Sequence, residues 1–549
     1  RATFLKKEQD ITDYWKEETT GGRRLFTYNT SAQVSFLWNN LTAAQKISLY
    51  PETINDPNGD GDPIDAVDPA TNQSSNYFGP VFNFIRGDRS NERSQTDGFL
   101  RTRYSLLGDV TNTPVYIGPP QELFTSFNGY AGFRHEKSSR PGIIATPAND
   151  GILHFFAEAD GSETMGYIPS MVIEKLFRLA QPAYEHTYYF DGEMVVSSAQ
   201  INPDHTNCTD AIVGGDPVDT TPVNVSDCEW RTVLAGGGGA GFEGLFALDV
   251  TTPGHTSDKV LFEKTGGDFG HIYGAPRIAA LGTAAAPEWY VFTGSGYKSS
   301  CTGIGGTNCD TDTSHKTALL MVSLDDPATV HTIDTGTTGG LSSPVLVDTD
   351  VTDLTVETAF AGDINGDLWM FRLDKADPAN STYRKVFDGV PNLPITNTPA
   401  VVRHPNSAAG GYIVYFGTGS IFSQDDALND AIDIDGNSLY KQAIYGIHIK
   451  ESWVDGTDTS FAPLDDDDLQ LQTLNPVDPP IVATFAYNNE TKVVRTTPTL
   501  NPVNYHCNTG DTTCEAALFS GWRMEFPLCG ERLTGAPFVR CLLYTSDAA

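Results

Sequence analysis

A short repeated unit constrains the fold of this chain more than any other feature. The unit consists of an apolar strand, a tight turn at Gly or Asp, and a second, alternating strand that ends near Asp. It occurs as GIIATPANDGILHFFAEADG from residue 142, WRTVLAGGGGAGFEGLFALDVT from Trp230, VETAFAGDINGDLWMFRLD from Val356, and GYIVYFGTGS followed by QAIYGIHIK. Hairpins that recur at long, irregular intervals indicate blades of a β-propeller with large loop insertions.

The length of the chain agrees with this interpretation. A chain of 549 residues is long for one compact core, but each propeller blade packs only on its neighbours. After residue 110 the one clear helical candidate is segment 169–180. We therefore predict a mainly β fold, a modified β-propeller with long loop insertions and a few helices. A two-sheet sandwich is the alternative, although the hairpins recur too often for sandwich domains of ~100 residues.

The pattern changes along the chain and suggests three regions. Residues 1–107 are predicted as an N-terminal segment of helix, short strands and loop that leads into the propeller, with an acidic insertion at 51–76 and a helix from about residue 80. Residues 108–540 are predicted as the propeller, incomplete at its C-terminal end. Residues 541–549 are predicted as an artefactual tail. Because the chain does not begin with Met, we expect further residues before it.

The charge balance restricts the possible partners. The net charge is −35, from 35 Lys and Arg against 70 Asp and Glu, so a phosphate backbone would be repelled and nucleic acid is not expected as a partner. The acidity serves either solubility or the binding of divalent cations, which prefer carboxylate oxygens. No run of 18 or more apolar residues occurs, so no transmembrane segment is predicted.

The cysteines predict an oxidising compartment. Six of the eight fall into close pairs within loops rich in Gly, Thr, Asn and Asp, and none has the C-x-x-C spacing of zinc or redox sites. Disulfides that staple these loops are the favoured interpretation, and free thiols are the alternative. The pairs are Cys208 with Cys228, Cys301 with Cys309, and Cys507 with Cys514.

The strongest candidate for chemistry is the acidic loop VLVDTDVTDLTVET. Four acidic side chains lie within ten positions, and calcium accepts six to eight oxygens in the irregular geometry of such loops. The loop runs directly into a predicted strand, which would hold it rigid. An acidic, solvated turn is the alternative. The predicted calcium ligands are Asp348, Asp350, Asp353, the carbonyl of Thr355, and Glu357.

Two other acidic loops are weaker calcium candidates. DPNGDGDPID has oxygen-bearing side chains at every second position and Gly61 at the sharp turn, as in the first half of an EF-hand loop. Its twelfth position is Val67, where a bidentate Glu belongs, so the predicted set ends at Asp65 or Asp68. The secondary candidate ligands are Asp56, Asn58, Asp60, Asp62 and Asp65. DIDGN, with Asp433, Asp435 and Asn437, offers fewer ligands.

Other motifs favour structural roles. The glycines of AGGGGAGFEG at 235–244 precede a predicted strand, whereas a phosphate-binding loop would precede a helix. RGD at Arg86–Asp88 is expected to be a salt-bridged helix end, with an exposed adhesive tripeptide as the alternative. Neither a G-x-S-x-G elbow nor H-E-x-x-H occurs, and the histidines are scattered, so no catalytic residues are predicted.

An ordered series of segments resembles the C-terminal region of the PilY/PilC family of type IV pilus biogenesis and tip-adhesin proteins. The series spans about residues 20–533 and includes FIRGDRSNE, LLGDVTNTPVYIGPP, ANDGILHFF, YIPSMVIEKLFRL, HTYYFDGE, FGHIYGAPRIA, AGDINGDLWMFRLD, FGTGSIF, AIYGIHI and GWRMEFPLCGERL. The family would continue beyond GERLTGAPFVR, whereas this chain ends with CLLYTSDAA, which would make Cys541 non-native.

The resemblance implies a modified β-propeller with an EF-hand-like calcium loop. In the family the ligands have the spacing D-x-D-x-D-x-x-x-D just before the AGD strand. Asp348 and Asp350 match the first two ligands, Asp353 stands one position late, and Glu357 takes the place of the last Asp. The resemblance therefore implies the same calcium loop with a one-residue insertion.

The resemblance also implies a function. It suggests a calcium-binding pilus assembly factor and tip-associated adhesin that supports pilus extension against retraction. The implied partners are minor pilins and the pilus assembly machinery, with host cells or abiotic surfaces as adhesion targets. The implied location is the pilus tip, the outer cell surface or the periplasm. The alternatives are a quinoprotein-like propeller dehydrogenase and a surface structural protein without a pilus role.

Overall fold

The structure is a computed structural model in which the chain folds into two compact units, formed mainly by residues 1–291 and 356–549. It describes residues 23–49, 78–206, 208, 228–252, 259–298, 314–350, 352–390, 393–406, 408–422, 441–458, 462–472, 482–487, 490–495, 501, 503–505, 518–526, 531–533 and 535–539.

The first sheet belongs to the first unit and has six strands. They are β1 (Leu25–Tyr28), β2 (Gln33–Ser35), β3 (Val115–Ile117), β4 (Ile143–Pro147), β5 (Leu153–Ala157) and β6 (Glu163–Ile168). The order across the sheet is β2-β1-β6-β5-β4-β3. Strands β3 to β6 form an antiparallel meander, and β1 joins it in parallel, with Leu25 opposite Gly166. Strands β1 and β2, which belong to the predicted N-terminal segment, are thus part of this sheet.

The next two sheets have four strands each, in sequential order. The second sheet contains β7 (Met194–Gln200), β8 (Trp230–Gly237), β9 (Leu245–Asp249) and β10 (Lys259–Lys264). The third contains β11 (Arg277–Thr283), β12 (Ala286–Gly294), β13 (Lys316–Ser323) and β14 (Val330–Thr338). Between β8 and β9 the chain turns with Gly239 at a φ of 56°, a conformation that favours glycine. The predicted tight turn in the glycine-rich segment is confirmed, because a strand follows it and not a helix.

The remaining described strands form a four-stranded sheet, a five-stranded sheet and a hairpin. They are β15 (Val345–Val347), β16 (Thr358–Gly362), β17 (Leu368–Arg372), β18 (Thr382–Phe387), β19 (Ala400–Arg403), β20 (Tyr412–Gly417), β21 (Ala443–Ile449), β22 (Gln470–Gln472), β23 (Val482–Tyr487), β24 (Glu490–Arg495) and β25 (Gly521–Glu525). The fourth sheet has the order β15-β16-β17-β18, and the fifth has the order β19-β20-β21-β25-β22. Strands β23 and β24 pair only with each other among the described residues.

All four predicted hairpins are present. They are the antiparallel pairs β4–β5, β8–β9, β16–β17 and β20–β21. The prediction of a mainly β fold with few helices is therefore confirmed. The four-stranded meander that recurs in these sheets is the unit from which β-propeller blades are built.

Helices are short in the described part of the chain. The α-helices are Ala43–Ser48, Phe78–Arg86, Tyr130–Glu136 and Glu451–Val454, and the 3-10 helices are Trp38–Asn40, Ser170–Ala180, Pro378–Asn380 and Asp466–Asp468. The helix expected near residue 80 is confirmed, and the segment predicted at 169–180 is helical but has 3-10 geometry. The helix Tyr130–Glu136 was not predicted, because it is short and follows Gly129 at a φ of 75°. Within the described ranges, none of the helices has the length and apolar character required to cross a bilayer.

Each unit has its own apolar core. In the first unit, the helix Phe78–Arg86 packs on Ser170–Ala180, and their apolar side chains join those of the first two sheets, among them Phe155 and Phe246. In the second unit, side chains of the fourth and fifth sheets meet, and the Phe416 and Tyr445 rings stack with centroids 4.8 Å apart. Burying side chains of this size contributes ~1.5–3 kcal/mol each relative to leaving them exposed.

The tripeptide Arg86–Asp88 lies at a helix end, as expected. Both charged side chains are buried: Arg86 donates to the carbonyl of Phe36, and Asp88 accepts the backbone N–H of Ser90 at 2.8 Å. Arg103 donates to the carbonyl of Asp88 at 2.6 Å. Burial of these side chains rules out an exposed adhesive tripeptide.

One of the predicted disulfides lies in the described part of the chain. Cys208 and Cys228 are bonded, with Cα atoms 4.7 Å apart and 20 positions apart in sequence. Both are buried beside Trp230, whose indole Nε1–H donates to the carbonyl of Asn128 at 2.9 Å. The predicted pairs Cys301 with Cys309 and Cys507 with Cys514 lie outside the described residues.

Candidate metal centre

The acidic loop predicted to bind calcium connects two neighbouring strands of the fourth sheet. Strands β15 and β16 pair antiparallel, with Val347 opposite Thr358, so residues 348–357 form the connection between them. The backbone N–H of Glu357 donates to the carbonyl of Val347 at 3.2 Å and closes the loop at its base. The first and last predicted ligands are thereby held close together by strand pairing.

Three of the predicted ligands come together in this loop. Asp348, Asp353 and Glu357 each place one carboxylate oxygen within 4.8 Å of the others, and all three side chains are half-buried. One oxygen of Asp348 is fully buried. Asp350 is exposed and is not part of this group, and Thr355 is buried with its hydroxyl turned toward Asp353.

Local hydrogen bonds orient Asp353. Its Oδ1 accepts the backbone N–H of Thr355 at 3.0 Å and the hydroxyl of Thr355 at 2.9 Å. Between them, Leu354 has a φ of 60°, which is uncommon for a residue other than glycine. Both bonds end on Oδ1 and so fix the orientation of the Asp353 carboxylate.

Glu357 spans the loop. Its Oε2 accepts the backbone N–H of Thr349 at 2.7 Å and the Thr349 hydroxyl at 3.0 Å. Its Oε1 forms an ion pair with the ammonium group of Lys375, which follows β17. The backbone N–H of Leu373 also donates to the carbonyl of Glu357 at 2.8 Å. Lys375 therefore provides one positive charge beside three carboxylates.

The donor set suits a hard divalent cation. Calcium binds carboxylate and carbonyl oxygens at ~2.3–2.6 Å, so two ligands on opposite sides of one ion are about 5 Å apart. The three carboxylate oxygens lie within 4.8 Å of one another, which is close enough for all three to bind one calcium ion. Three carboxylates are fewer than the six to eight ligands that calcium accepts, and backbone carbonyls and water would complete the set. These residues fit calcium and do not suit a metal that requires nitrogen or sulfur ligands.

A cavity of about 280 Å³ opens beside the loop. Its lining includes Asp350 and Glu357 from the loop and its end, and Glu451 and Asp455 from the Glu451–Val454 helix and the residue after it. The Arg372 guanidinium also lines the cavity and donates to the carbonyl of Asp455 at 2.8 Å. Carboxylates outnumber cations around this cavity, so its electrostatic potential favours positively charged ligands.

Lys375 is the residue of this site that sequence inspection did not identify. Strand pairing brings Lys375 to the site, because Thr358 at the start of β16 lies opposite Arg372 at the end of β17. Glu357 just before β16 and Lys375 just after β17 therefore lie near each other. The register of this hairpin is the sequence signal that could have located Lys375. The secondary candidates Asp56, Asn58, Asp60, Asp62 and Asp65, and the third loop with Asp433, Asp435 and Asn437, lie outside the described residues.

The sequence and the fold are similar to those of known proteins. A family model described as the PilY1 beta-propeller domain matches residues 107–478. The type IV pilus biogenesis factor PilY1 of Pseudomonas aeruginosa strain PAK is 34% identical over 571 aligned residues, which cover 96% of this chain. The PilY1 protein of P. aeruginosa strain PAO1 is 33% identical over the same share of the chain.

A solved structure supports the same relationship. The crystal structure of the P. aeruginosa PilY1 C-terminal domain superposes with a TM-score of 0.51 at 30% identity, covering 75% of this chain and 77% of that one. The propeller class predicted from the repeated hairpins is thereby confirmed. This chain spans only 42% of the length of the two curated relatives.

Proposed function

This chain belongs to the PilY1 family, and we propose that it acts as a calcium-binding assembly factor of type IV pili. The relatives are named type IV pilus biogenesis factors, and 34% identity over nearly the whole length of this chain supports the same role here. Because the chain spans less than half of those relatives, the activity of the whole protein is part of the proposal.

The observation that carries the calcium proposal is the convergence of Asp348, Asp353 and Glu357 in one loop. Three carboxylates held within one coordination sphere repel one another. Lys375 pairs with Glu357, and bound calcium would offset the repulsion within the group. Strand pairing at the base of the loop and the Asp353 turn hold the carboxylates in position before any ion arrives.

Ion binding would join the two ends of the loop. Asp348 follows β15 and Glu357 precedes β16, so a cation held by both carboxylates fixes the end of one strand to the start of the next. The Thr349 N–H would continue to orient Glu357 Oε2. We infer that bound calcium changes the rigidity of the acidic cavity beside the loop. A partner that binds at this cavity would then respond to the presence of the ion.

We further propose that the chain supports pilus extension against retraction and serves as a tip-associated adhesin without enzymatic activity. Its proposed partners are minor pilins and the pilus assembly machinery, with cell or abiotic surfaces as adhesion targets. The names of the relatives support a location on the pilus or at the cell surface or periplasm. The Cys208–Cys228 disulfide is consistent with the oxidising environment of such locations.

The calcium proposal is tested by titrating the purified chain calorimetrically. We expect wild-type binding with a rise in melting temperature, because a ligand that binds only the folded state stabilises it. Asp348→Asn and Asp353→Asn should each weaken binding at least ~10-fold, and Asp350→Ala should weaken it less because its side chain lies outside the group of three. Asp334→Asn, which removes a half-buried carboxylate that pairs with Lys316, is the matched control. Equal calcium affinity in wild type and Asp348→Asn would refute the assigned loop.

The pilus role is tested separately in cells of the source organism. Deletion of the gene should reduce surface pili, and re-expression of the wild-type gene should restore them. Asp348→Asn should restore them only in part if calcium tunes the function. Intact piliation after deletion would favour a surface structural protein. A quinone absorbance with dye-linked alcohol oxidation in the purified protein would favour a dehydrogenase.

A further inference from the structure

The acidic cavity beside the loop contains a buried hydroxyl group without a partner. Thr358, the first residue of β16, lines the cavity and is only 1% exposed. Within the described part of the chain, its hydroxyl has no hydrogen-bond partner. A buried hydroxyl in this state is unfavourable, because its hydrogen bonds to water are lost and not replaced. A ligand with a polar group at this position would supply the missing partner.

Apolar side chains line the buried part of the same cavity. Leu373 directly follows β17, and Val454 ends the Glu451–Val454 helix. Their exposed fractions are 6% and 7%. Such side chains favour contact with the methylene groups of a ligand, and they do not coordinate metal ions. A bare cation therefore does not account for this part of the cavity.

Carboxylates form the exposed rim of the cavity, which consists of Asp350, Glu451 and Asp455. Glu451 accepts the backbone N–H of Gly411 at 3.1 Å and pairs with Arg403 at 3.8 Å, in both cases through Oε2. Asp455 accepts hydrogen bonds from the turn that follows it through Oδ1. Glu451 Oε1 and Asp455 Oδ2 thus remain able to accept hydrogen bonds from a ligand.

Two further basic side chains at the cavity are engaged with neighbouring groups. Arg372 lines the cavity and donates to the backbone carbonyl of Asp455 at 2.8 Å. Lys375 pairs with Glu357, which also lines the cavity. The lining as a whole holds four carboxylates and one guanidinium, so it attracts a positively charged ligand.

From this arrangement we propose that the cavity binds a lysine side chain presented by a partner protein. The ammonium group carries the charge that the carboxylates attract, and its N–H groups would donate to the Thr358 hydroxyl oxygen and to the neighbouring carboxylates. The methylene stem would pack on Leu373 and Val454. A cavity of about 280 Å³ is near the lower end of the range for ligand pockets, so it suits a single side chain better than a large cofactor.

Calcium would weaken this binding. Glu357 belongs both to the group of three carboxylates in the loop and to the lining of the cavity. An ion bound in the loop would offset negative charge beside the cavity, so an ammonium group there would be attracted less strongly. By linkage, the lysine would weaken calcium binding by the same factor. This coupling rests on the calcium proposal, whereas lysine binding in the absence of calcium does not.

The test is a fluorescence anisotropy titration of a labelled peptide that has one lysine among glycine and serine residues. The purified chain is added in EDTA at low salt, where charges are least screened. We expect a dissociation constant below ~1 mM, and no measurable binding of the same peptide with norleucine in place of lysine. Equal binding of the two peptides would overturn the proposal.

Thr358→Val keeps the shape of the side chain and removes the hydroxyl, so it should weaken peptide binding ~10-fold. Thr317→Val is the matched control, because Thr317 is a buried residue of β13 outside the cavity whose hydroxyl also lacks a partner among the described residues. Since neither hydroxyl contributes a hydrogen bond, neither variant should melt lower than the wild type. Unchanged peptide affinity in Thr358→Val would overturn the assigned site.

Two further measurements identify the occupant and the effect of calcium. If 1,5-diaminopentane bound at least ~10-fold tighter than the peptide, a free diamine and not a protein side chain would be the occupant. Saturating calcium should weaken peptide binding about 5-fold. Unchanged peptide affinity in a chain that calorimetry shows to bind calcium would overturn the coupling. A chain that binds the peptide but no calcium would contradict the calcium proposal and leave the lysine site standing.

Discussion

His154 Nδ1 lies 2.7 Å from Glu163 Oε1, and both side chains are buried in the first sheet. The other ring nitrogen of His154 lies 3.1 Å from Asp150 Oδ2, and Arg23 donates from Nε to Glu163 Oε2 at 2.7 Å. Two carboxylates thus face two basic side chains inside the unit. The pairing is balanced only while His154 carries its proton, so the stability of this unit depends on pH.

The first prediction concerns that dependence. Burial disfavours the charged imidazole, but Asp150 and Glu163 outweigh burial and raise the pKa of His154 to about 9. Because the pKa is higher in the folded state than the ordinary value near 6.5, the stabilisation is complete below pH ~6.5 and is lost as the pH rises through about 9. Urea unfolding at pH 6 and pH 9.5 should show a loss on the order of 3 kcal/mol in the wild type.

His154→Asn should reduce this loss of unfolding free energy, and His135→Asn, which alters an exposed histidine, should not. An unchanged difference between pH 6 and pH 9.5 in His154→Asn would show that other groups cause the alkaline loss.

Glu163 sets the acid limit of stability. Burial opposes the charge of Glu163, but Arg23 and His154 lower its pKa to about 2. Its contribution to stability is present above the ordinary pKa near 4.5 and disappears as the pH falls through about 2.

The second prediction concerns Arg23 itself. Arg23→Met leaves the buried Glu163 carboxylate without its arginine, which should cost ~3–5 kcal/mol of unfolding free energy. Arg24→Met is the matched control, because the neighbouring side chain is exposed and its loss should stay within about 0.5 kcal/mol. The check is urea unfolding at pH 6. Equal stability of the two variants would contradict a central role for the Arg23–Glu163 pair.

The third prediction concerns competition at the acidic loop. Lys375 pairs with Glu357, so calcium must share that carboxylate with an ammonium group. Lys375→Met should therefore raise calcium affinity by about 5-fold, which corresponds to an ion-pair energy near 1 kcal/mol. Lys316→Met, which removes a partner of Asp334 at 3.4 Å, should leave calcium affinity unchanged. Weaker calcium binding in Lys375→Met would mean that the lysine positions Glu357 and does not compete with the ion.

The fourth prediction concerns the disulfide. Cys208 and Cys228 close a loop of about 20 residues, so their bond should contribute ~3 kcal/mol by restricting the unfolded chain. The double variant Cys208→Ser with Cys228→Ser should melt several degrees lower than the wild type. Peptide mapping without reduction should recover the two cysteines in one linked fragment. Two separate fragments from the oxidised wild type would refute the pairing.

Local patterns were sufficient to predict the hairpins. The turn of β16–β17 contains Asp363, whose Oδ1 accepts the backbone N–H groups of Asn365 and Asp367 at 2.9 Å, so the motif DINGD specifies its own turn. The three carboxylates of the acidic loop also lie within ten positions, and their convergence follows from one hairpin connection. Both features depend on contacts that are close in sequence.

Contacts between distant segments were not predictable from spacing alone. His404 and His448 are separated by 44 positions, and they meet because β19 and β21 both pair with β20 in one particular register. Arg23 and Glu163 are 140 positions apart and meet because β1 adds in parallel beside β6. A shift of one residue in either register would turn these side chains to the opposite face of the sheet.

The parallel pairing of β1 with β6 has a mechanical consequence. Tension transmitted through the residues before Arg23 and directed along β1 would pull the strand lengthwise against β6. The pairs from Leu25 opposite Gly166 to Thr27 opposite Ile168 would then bear the load together, in shear, and would not open one after another as in a zipper. The Arg23–Glu163 ion pair lies just ahead of the first of these pairs and would be the first contact to be loaded under such tension.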